Sequence, residues 1–107
     1  MITFEDFKKL DIRIGTILSA ERVPDADKLY KLIIDLGSEQ RQILSAIVEF
    51  FPDPETLVGK QIPVLINLEP RMMRGVESQG MMLAADVEGR PILLHPAEST
   101  PPGSIVL

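Results

Sequence analysis

From Leu10 to Val23 the chain alternates like a strand and then slips. Ile12 and Ile14 stand against Asp11 and Arg13, Gly15 and Thr16 interrupt, and the apolar side resumes at Ile17. A slip at a glycine marks a bulge or a tight bend. A sheet that must bend within one long strand is suited to closing on itself.

The punctuation that follows has the same character. Val23-Pro24-Asp25-Ala26-Asp27 is a turn cluster. Lys28 to Leu36 reads as a second strand, with Leu29, Lys31 and Ile33 on one face. Gly37-Ser38-Glu39 turns it into a third, Gln40 to Val48, which Phe50, Phe51 and Pro52 close. Asp53-Pro54-Glu55-Thr56 is a helix start, with an acidic cap, proline at the first helical position and an acid in the first turn. Gly59 ends that helix after barely two turns. Gln61 to Leu68 and Gly80 to Val87 are further strands, and Pro91 to His95 and Ser104 to Leu107 add C-terminal ones. Near the start, Thr3 and Asp6 form a capping-box pattern for a helix from Phe4 to Lys9, whose Phe4 and Phe7 cover one mouth of the core.

Three strands, a short helix and two strands is the order of an all-β, five-stranded OB-fold barrel, with its helix between strands three and four. In that barrel the loops joining strands one to two and four to five, with the face of strands two and three, bind oligonucleotides. Here those loops are Pro24 to Lys28 and Glu69 to Gln79. The second carries Arg71 and Arg74, flanked by Pro70, Gly75 and Gly80, with Ser78 and Gln79 as neutral hydrogen-bonding groups. Two permanent positive charges on a sharply bent loop suit a polyanion better than a core.

Composition narrows the alternatives. At 107 residues, 1–107 is expected to form one domain, and 45% apolar with 25% charged residues is ordinary for a globular chain. No cysteine is present, which excludes disulfides, thiolate catalysis and cysteine-based zinc sites. No run approaches the roughly 18 apolar residues of a membrane span, and MITFEDFKK lacks a secretory core. A cytoplasmic location away from membranes is therefore expected. The net charge of −5 argues against bulk electrostatic coating of nucleic acid, so any basic site must be assembled by folding.

Catalysis finds no support. Ser45 has no histidine near it in sequence to activate it, and His95 precedes a proline with no carboxylate beside it. Asp25 and Asp27 lack the glycine and distal glutamate of a calcium loop. No Gly-rich phosphate loop is present. Neither an enzyme nor a metal or other cofactor is expected. Met72, Met73, Met81 and Met82 read as packing. The few aromatic residues, Phe4, Phe7, Tyr30, Phe50 and Phe51, read mostly as core, which counts against a single-strand stacking platform.

Several stretches occur together: LDIRIGTI (Leu10 to Ile17), ADKLYKL (Ala26 to Leu32), IDLG (Ile34 to Gly37), NLEP (Asn67 to Pro70), RGVESQGMMLAA (Arg74 to Ala85) and PG (Pro102, Gly103). Over nearly its whole length the chain resembles the tRNA-binding domain family. Relatives in that family include the C-terminal module or beta subunit of methionyl-tRNA synthetases, structure-specific tRNA-binding proteins and CsaA-like export chaperones. The resemblance implies a homodimer that recognises the tRNA body by shape and backbone, as an accessory to a methionyl-tRNA synthetase catalytic chain. It further implies binding groups at Asn67, Arg71, Arg74, Ser78, Gln79 and Met82, with Lys28, Arg41 and Ser45 as additions. The family commonly has lysine at the position of Glu69, histidine at Val23 and glycine at Ala46, and each departure implies weaker binding. Two other uses of the barrel stay open: a chaperone holding unfolded peptides, and a protein–protein scaffold.

Overall fold

The computed structural model describes residues 1–107. In chain order it has helix α1 (Phe4–Phe7) and strands β1 (Ile12–Arg22), β2 (Tyr30–Asp35) and β3 (Gln40–Ser45). A single 3-10 turn (Pro54–Thr56) precedes β4 (Gln61–Leu65), β5 (Arg71–Met73), β6 (Val76–Ser78), β7 (Met81–Met82), β8 (Ala84–Val87) and β9 (Arg90–Leu93).

The antiparallel sheet runs in the order β3-β2-β1-β4-β7 and forms the all-β OB barrel expected from the strand order. Strand β1 serves two neighbours. Ile12 to Thr16 pair with Gln61 to Leu65 of β4, and Thr16 to Arg22 pair with β2. The register slips between Ile17 and Ser19, so the extra residue is Leu18 and not Gly15. Gly15 does a different job. It is buried, and a Cβ there would run into the Ile34 side chain, so the glycine permits close approach of β2.

The free edge of β1's first half is covered by the C-terminal segment. The Ile14 amide donates to the Ser104 carbonyl at 2.8 Å, Gly103 N–H to Ile14 at 2.7 Å and Val106 N–H to Ile12 at 2.8 Å. The short strand expected over Ser104 to Leu107 is reduced to a single bridge, Ile105 opposite Arg13. A covered edge offers no template for unwanted strand pairing.

Alternation along β2 puts Tyr30, Leu32 and Ile34 inside, each with 0% exposure. Lys31 and Ile33 do share a face, as their spacing suggests, but it is the outer one; Leu29, expected with them, lies before the strand and is buried. Ile17, Ile43, Ile62 and Val64 complete the inner layer, with Leu57 delivered by the 3-10 turn. Each such side chain contributes about 1.5–3 kcal/mol through burial. Asp53 caps that turn, its carboxylate accepting from Glu55 N–H at 3.1 Å, but one turn forms where barely two were expected. The Thr3–Asp6 capping box is present on α1. Phe4 is nevertheless 71% exposed and Phe50 39% exposed, so neither belongs to the core.

The strand expected over Gly80 to Val87 divides in two. Met81 and Met82 stay in the barrel, while Ala84–Val87 leaves it to pair with Arg90–Leu93 as a separate hairpin. Strand β7 pairs with β4 alone, and no strand ladder joins it to β3. Closure between β3 and this segment is completed by side chains, described next.

Candidate nucleic-acid interface

The bent connection between β4 and β7 is itself a hairpin. Met73 pairs with Val76, Met72 with Glu77 and Arg71 with Ser78, leaving Arg74 and Gly75 as a two-residue turn. Their φ angles are +53° and +78°. Positive φ at both central positions is the type I′ pattern, which matches strand twist and which glycine accepts readily and arginine does not.

A small second core fixes where this hairpin lies. Val23, Ala26 and Leu29 from the β1–β2 loop cluster with Leu44 of β3, and Met73 and Val76 pack on them. The two loops that this barrel type uses for binding are therefore fastened to one another. A groove lined by Asp25 to Leu29 and by Arg74 runs between them, and it brings Lys28 beside the hairpin turn. Val23, where the family commonly has histidine, is 6% exposed and serves this packing. Glu69 and Ala46, the other two departures, are exposed.

The residues singled out from sequence separate into two groups. Arg71, Arg74 and Lys28 are exposed. None of them is among the chain's five ion pairs. Arginine keeps its charge at any working pH, so Arg71 and Arg74 present two guanidinium groups outside any ion pair, with Asp25 and Asp27 lining the same groove as Arg74.

The second group has its hydrogen-bonding capacity engaged within the chain. Asn67 Oδ1 accepts from Asp11 N–H at 2.9 Å and its Nδ2 donates to the Lys9 carbonyl at 2.6 Å, tying α1's exit to the end of β4. Ser78 is 4% exposed. Its Oγ accepts from Leu44 N–H at 3.0 Å and donates to the Gly80 carbonyl at 3.1 Å. Gln79 Oε1 accepts from Gln42 N–H at 3.0 Å, while Gln79 N–H donates to the Gln42 carbonyl at 2.8 Å. Arg41 Nη1 donates to the carbonyls of Ile66 at 2.5 Å and Gln79 at 3.2 Å, gathering both stems of the hairpin, and its guanidinium also pairs with Glu39. These side chains do the work that a longer β7 would have done through its backbone.

Met82 sits on β7 opposite Val64 and packs against the main core. Ser45 is half-buried on β3, opposite Tyr30. Gln42 was not singled out from sequence, yet its side chain donates to the Glu77 carbonyl at 2.9 Å and its backbone meets Gln79. The one signal for the hairpin was the Arg74-Gly75 dipeptide between apolar Met73 and Val76. No helix of the chain is long and apolar enough to cross a membrane.

Comparison with known proteins points the same way as the architecture. The chain is 54% identical over 105 residues to methionine–tRNA ligase of Archaeoglobus fulgidus, covering 98% of this chain and 16% of the ligase. It thus spans about a sixth of the length of the relative it matches. Among solved structures, a MetRS-related protein from Pyrococcus horikoshii superposes with a TM-score of 0.94 at 37% identity, covering 100% of this chain and 98% of that one. The chaperone CsaA from Bacillus anthracis gives 0.90 at 34% identity, over 100% of this chain and 99% of the other. The family model described as "Putative tRNA binding domain" matches residues 12–105. By that match, over nearly the whole barrel, the chain belongs to the tRNA-binding domain family.

Proposed function

We propose that this chain is a non-catalytic tRNA-binding module that reads the tRNA body by shape and backbone. In this reading Arg71, Arg74 and Lys28 meet phosphates, and Met82 and Ser45 lie at the edge of the contact. Asn67, Arg41, Ser78 and Gln79 serve chiefly by holding the β5–β6 hairpin and its roots in place. The observation that carries the reading is the pair of unpaired arginines on a hairpin clamped to the β1–β2 loop. Guanidinium groups offer forked, charge-assisted bonds to phosphate. A hairpin that is paired and packed before binding spares the ordering cost that a floppy loop would incur. A folded RNA read by its backbone needs few stacking platforms.

The module acts as a homodimer in the cytoplasm and raises the local tRNA concentration beside a separate methionyl-tRNA synthetase catalytic chain. The identity to methionine–tRNA ligases supports that setting.

A second reading, a holder of unfolded peptides, rests on one feature. An apolar recess runs beside Ile47, Phe50 and the stretch Met81 to Ala85, and CsaA shares the fold. Gel-shift titration with bulk tRNA, single-stranded RNA of matched length and an unfolded peptide separates the readings. The tRNA module requires tRNA to bind tightest, with binding that weakens steeply as salt rises. Preference for the peptide would transfer the function to the second reading.

A further inference from the structure

A second groove, of about 250 Å³, lies between the turn after β3 and strand β9. Its apolar lining comes from Phe50, Phe51, Ile92 and Leu93, and its basic lining from Lys60, Arg90 and His95. No carboxylate lines it. That runs against composition, since the chain carries 16 acids and 11 lysines and arginines. It shares no residue with the groove between Lys28 and Arg74.

The groove is built before any ligand arrives. Phe50 and Phe51 N–H groups both donate to the Ile47 carbonyl, at 3.0 and 3.1 Å, and the Phe51 carbonyl accepts from Tyr30 Oη at 2.6 Å. Phe50 remains 39% exposed, an aromatic face left to solvent. His95 Nδ1 lies 2.7 Å from the Gln61 carbonyl. A carbonyl only accepts, so Nδ1 carries the proton and Nε2 is left to bond a ligand. Lys60 and Arg90 take part in none of the chain's ion pairs. Glu98 lines the adjoining recess with Lys60 and His95 and pairs with neither.

Aromatic faces beside unpaired cations suit a planar ring that carries a phosphate. A simple anion would leave the phenylalanines unused, and an acyl chain would leave the second cation unused. We propose that this groove is a nucleotide site, with the base against Phe50 and the phosphate between Lys60 and Arg90. The same chemistry is offered by a free mononucleotide and by an unpaired nucleotide of an RNA.

The test follows amide chemical shifts of the intact chain during titration with adenosine 5′-monophosphate, adenosine, inorganic phosphate and a single-stranded trinucleotide. Expected are saturable shifts at Phe51, Lys60 and Ile92 with the monophosphate, and binding about tenfold weaker for adenosine or phosphate alone. Arg90→Glu, on an exposed side chain, should weaken the monophosphate about tenfold or more, and Phe50→Ala should do likewise. A trinucleotide binding about tenfold tighter than the monophosphate assigns the site to unpaired RNA, and equal binding assigns it to free nucleotide. The proposal is overturned by shifts that do not saturate by about 10 mM, or that centre on Arg71 to Ser78. It is equally overturned if Arg90→Glu has no effect, or if Phe50 and Arg90 become protected between two copies while the monophosphate gives no response.

Discussion

The Ser78 hydroxyl stands 3.0 Å from the Leu44 amide nitrogen and accepts the bond that a neighbouring strand's carbonyl would otherwise take. A serine side chain thus completes the barrel where β6 and β7 are too short to do so. Ser78→Ala leaves the Leu44 N–H without that partner, beside a Gly80 carbonyl that also loses its donor. Such groups cost about 1–3 kcal/mol when buried and unpaired. Thermal unfolding should therefore start several degrees lower, with faster amide exchange at Leu44. Unchanged stability would mean that the hydroxyl does not help to close the barrel.

The two hairpin arginines should behave differently from that serine. Arg71→Ala and Arg74→Ala remove exposed side chains outside every ion pair, so unfolding should move by less than about 0.5 kcal/mol. Each should also lower the salt slope of tRNA binding by about 0.7–0.9 for every phosphate that the arginine had neutralised. A slope that stays the same in a folded variant removes that arginine from the interface.

Arg74 offers a sharper version of the same test. It holds φ at +53° ahead of Gly75, in a turn where asparagine is the favoured residue. Arg74→Asn should relieve about 1 kcal/mol of backbone cost and raise the melting temperature while weakening tRNA binding. Gain of stability with loss of affinity is the signature of a strained residue kept for its charge. Loss of both would show that the arginine's aliphatic stem packs on the hairpin.

Asn67 bonds Asp11 and Lys9, which lie 56 and 58 residues before it. Asn67→Ala should cost about 1 kcal/mol and speed amide exchange at Asp11, where the bonded N–H is released. Since an amide side chain neutralises no phosphate, the salt slope of RNA binding should not change. A lower slope would indicate a rearranged interface.

Acid should loosen α1 before it disturbs the barrel. The Asp6 carboxylate is held below its ordinary 3.8, first by the Thr3 backbone N–H and then by Lys9. A depressed folded-state value stabilises the helix above the unfolded value and is lost as pH falls through the folded one. Fraying of Phe4–Phe7 should therefore appear below about pH 4, read from amide shifts against pH. Asp6→Asn should show the frayed signals at neutral pH as well.

Much of the barrel was legible in the chain because local patterns and the global fold agree there. The Asp53-Pro54 turn start and the Thr3–Asp6 cap each have a local physical cause, and each survives in the structure. Ile12, Arg13 and Ile14 form the expected strand but are all half-buried, because β4 and the C-terminal segment cover both its edges. The arginines were legible as charges on a bend for the same reason. Position in three dimensions was not. Whether Ser78, Gln79, Asn67 and Arg41 face solvent or stitch the barrel depends on partners up to 58 residues away, at Leu44, Gln42, Lys9 and Ile66. Polar side chains carry no period that distinguishes those roles. Nor could the chain alone reveal that Val23, Leu29 and Leu44 meet Met73 and Val76. That packing makes one surface of two loops, and only chain closure brings its members together.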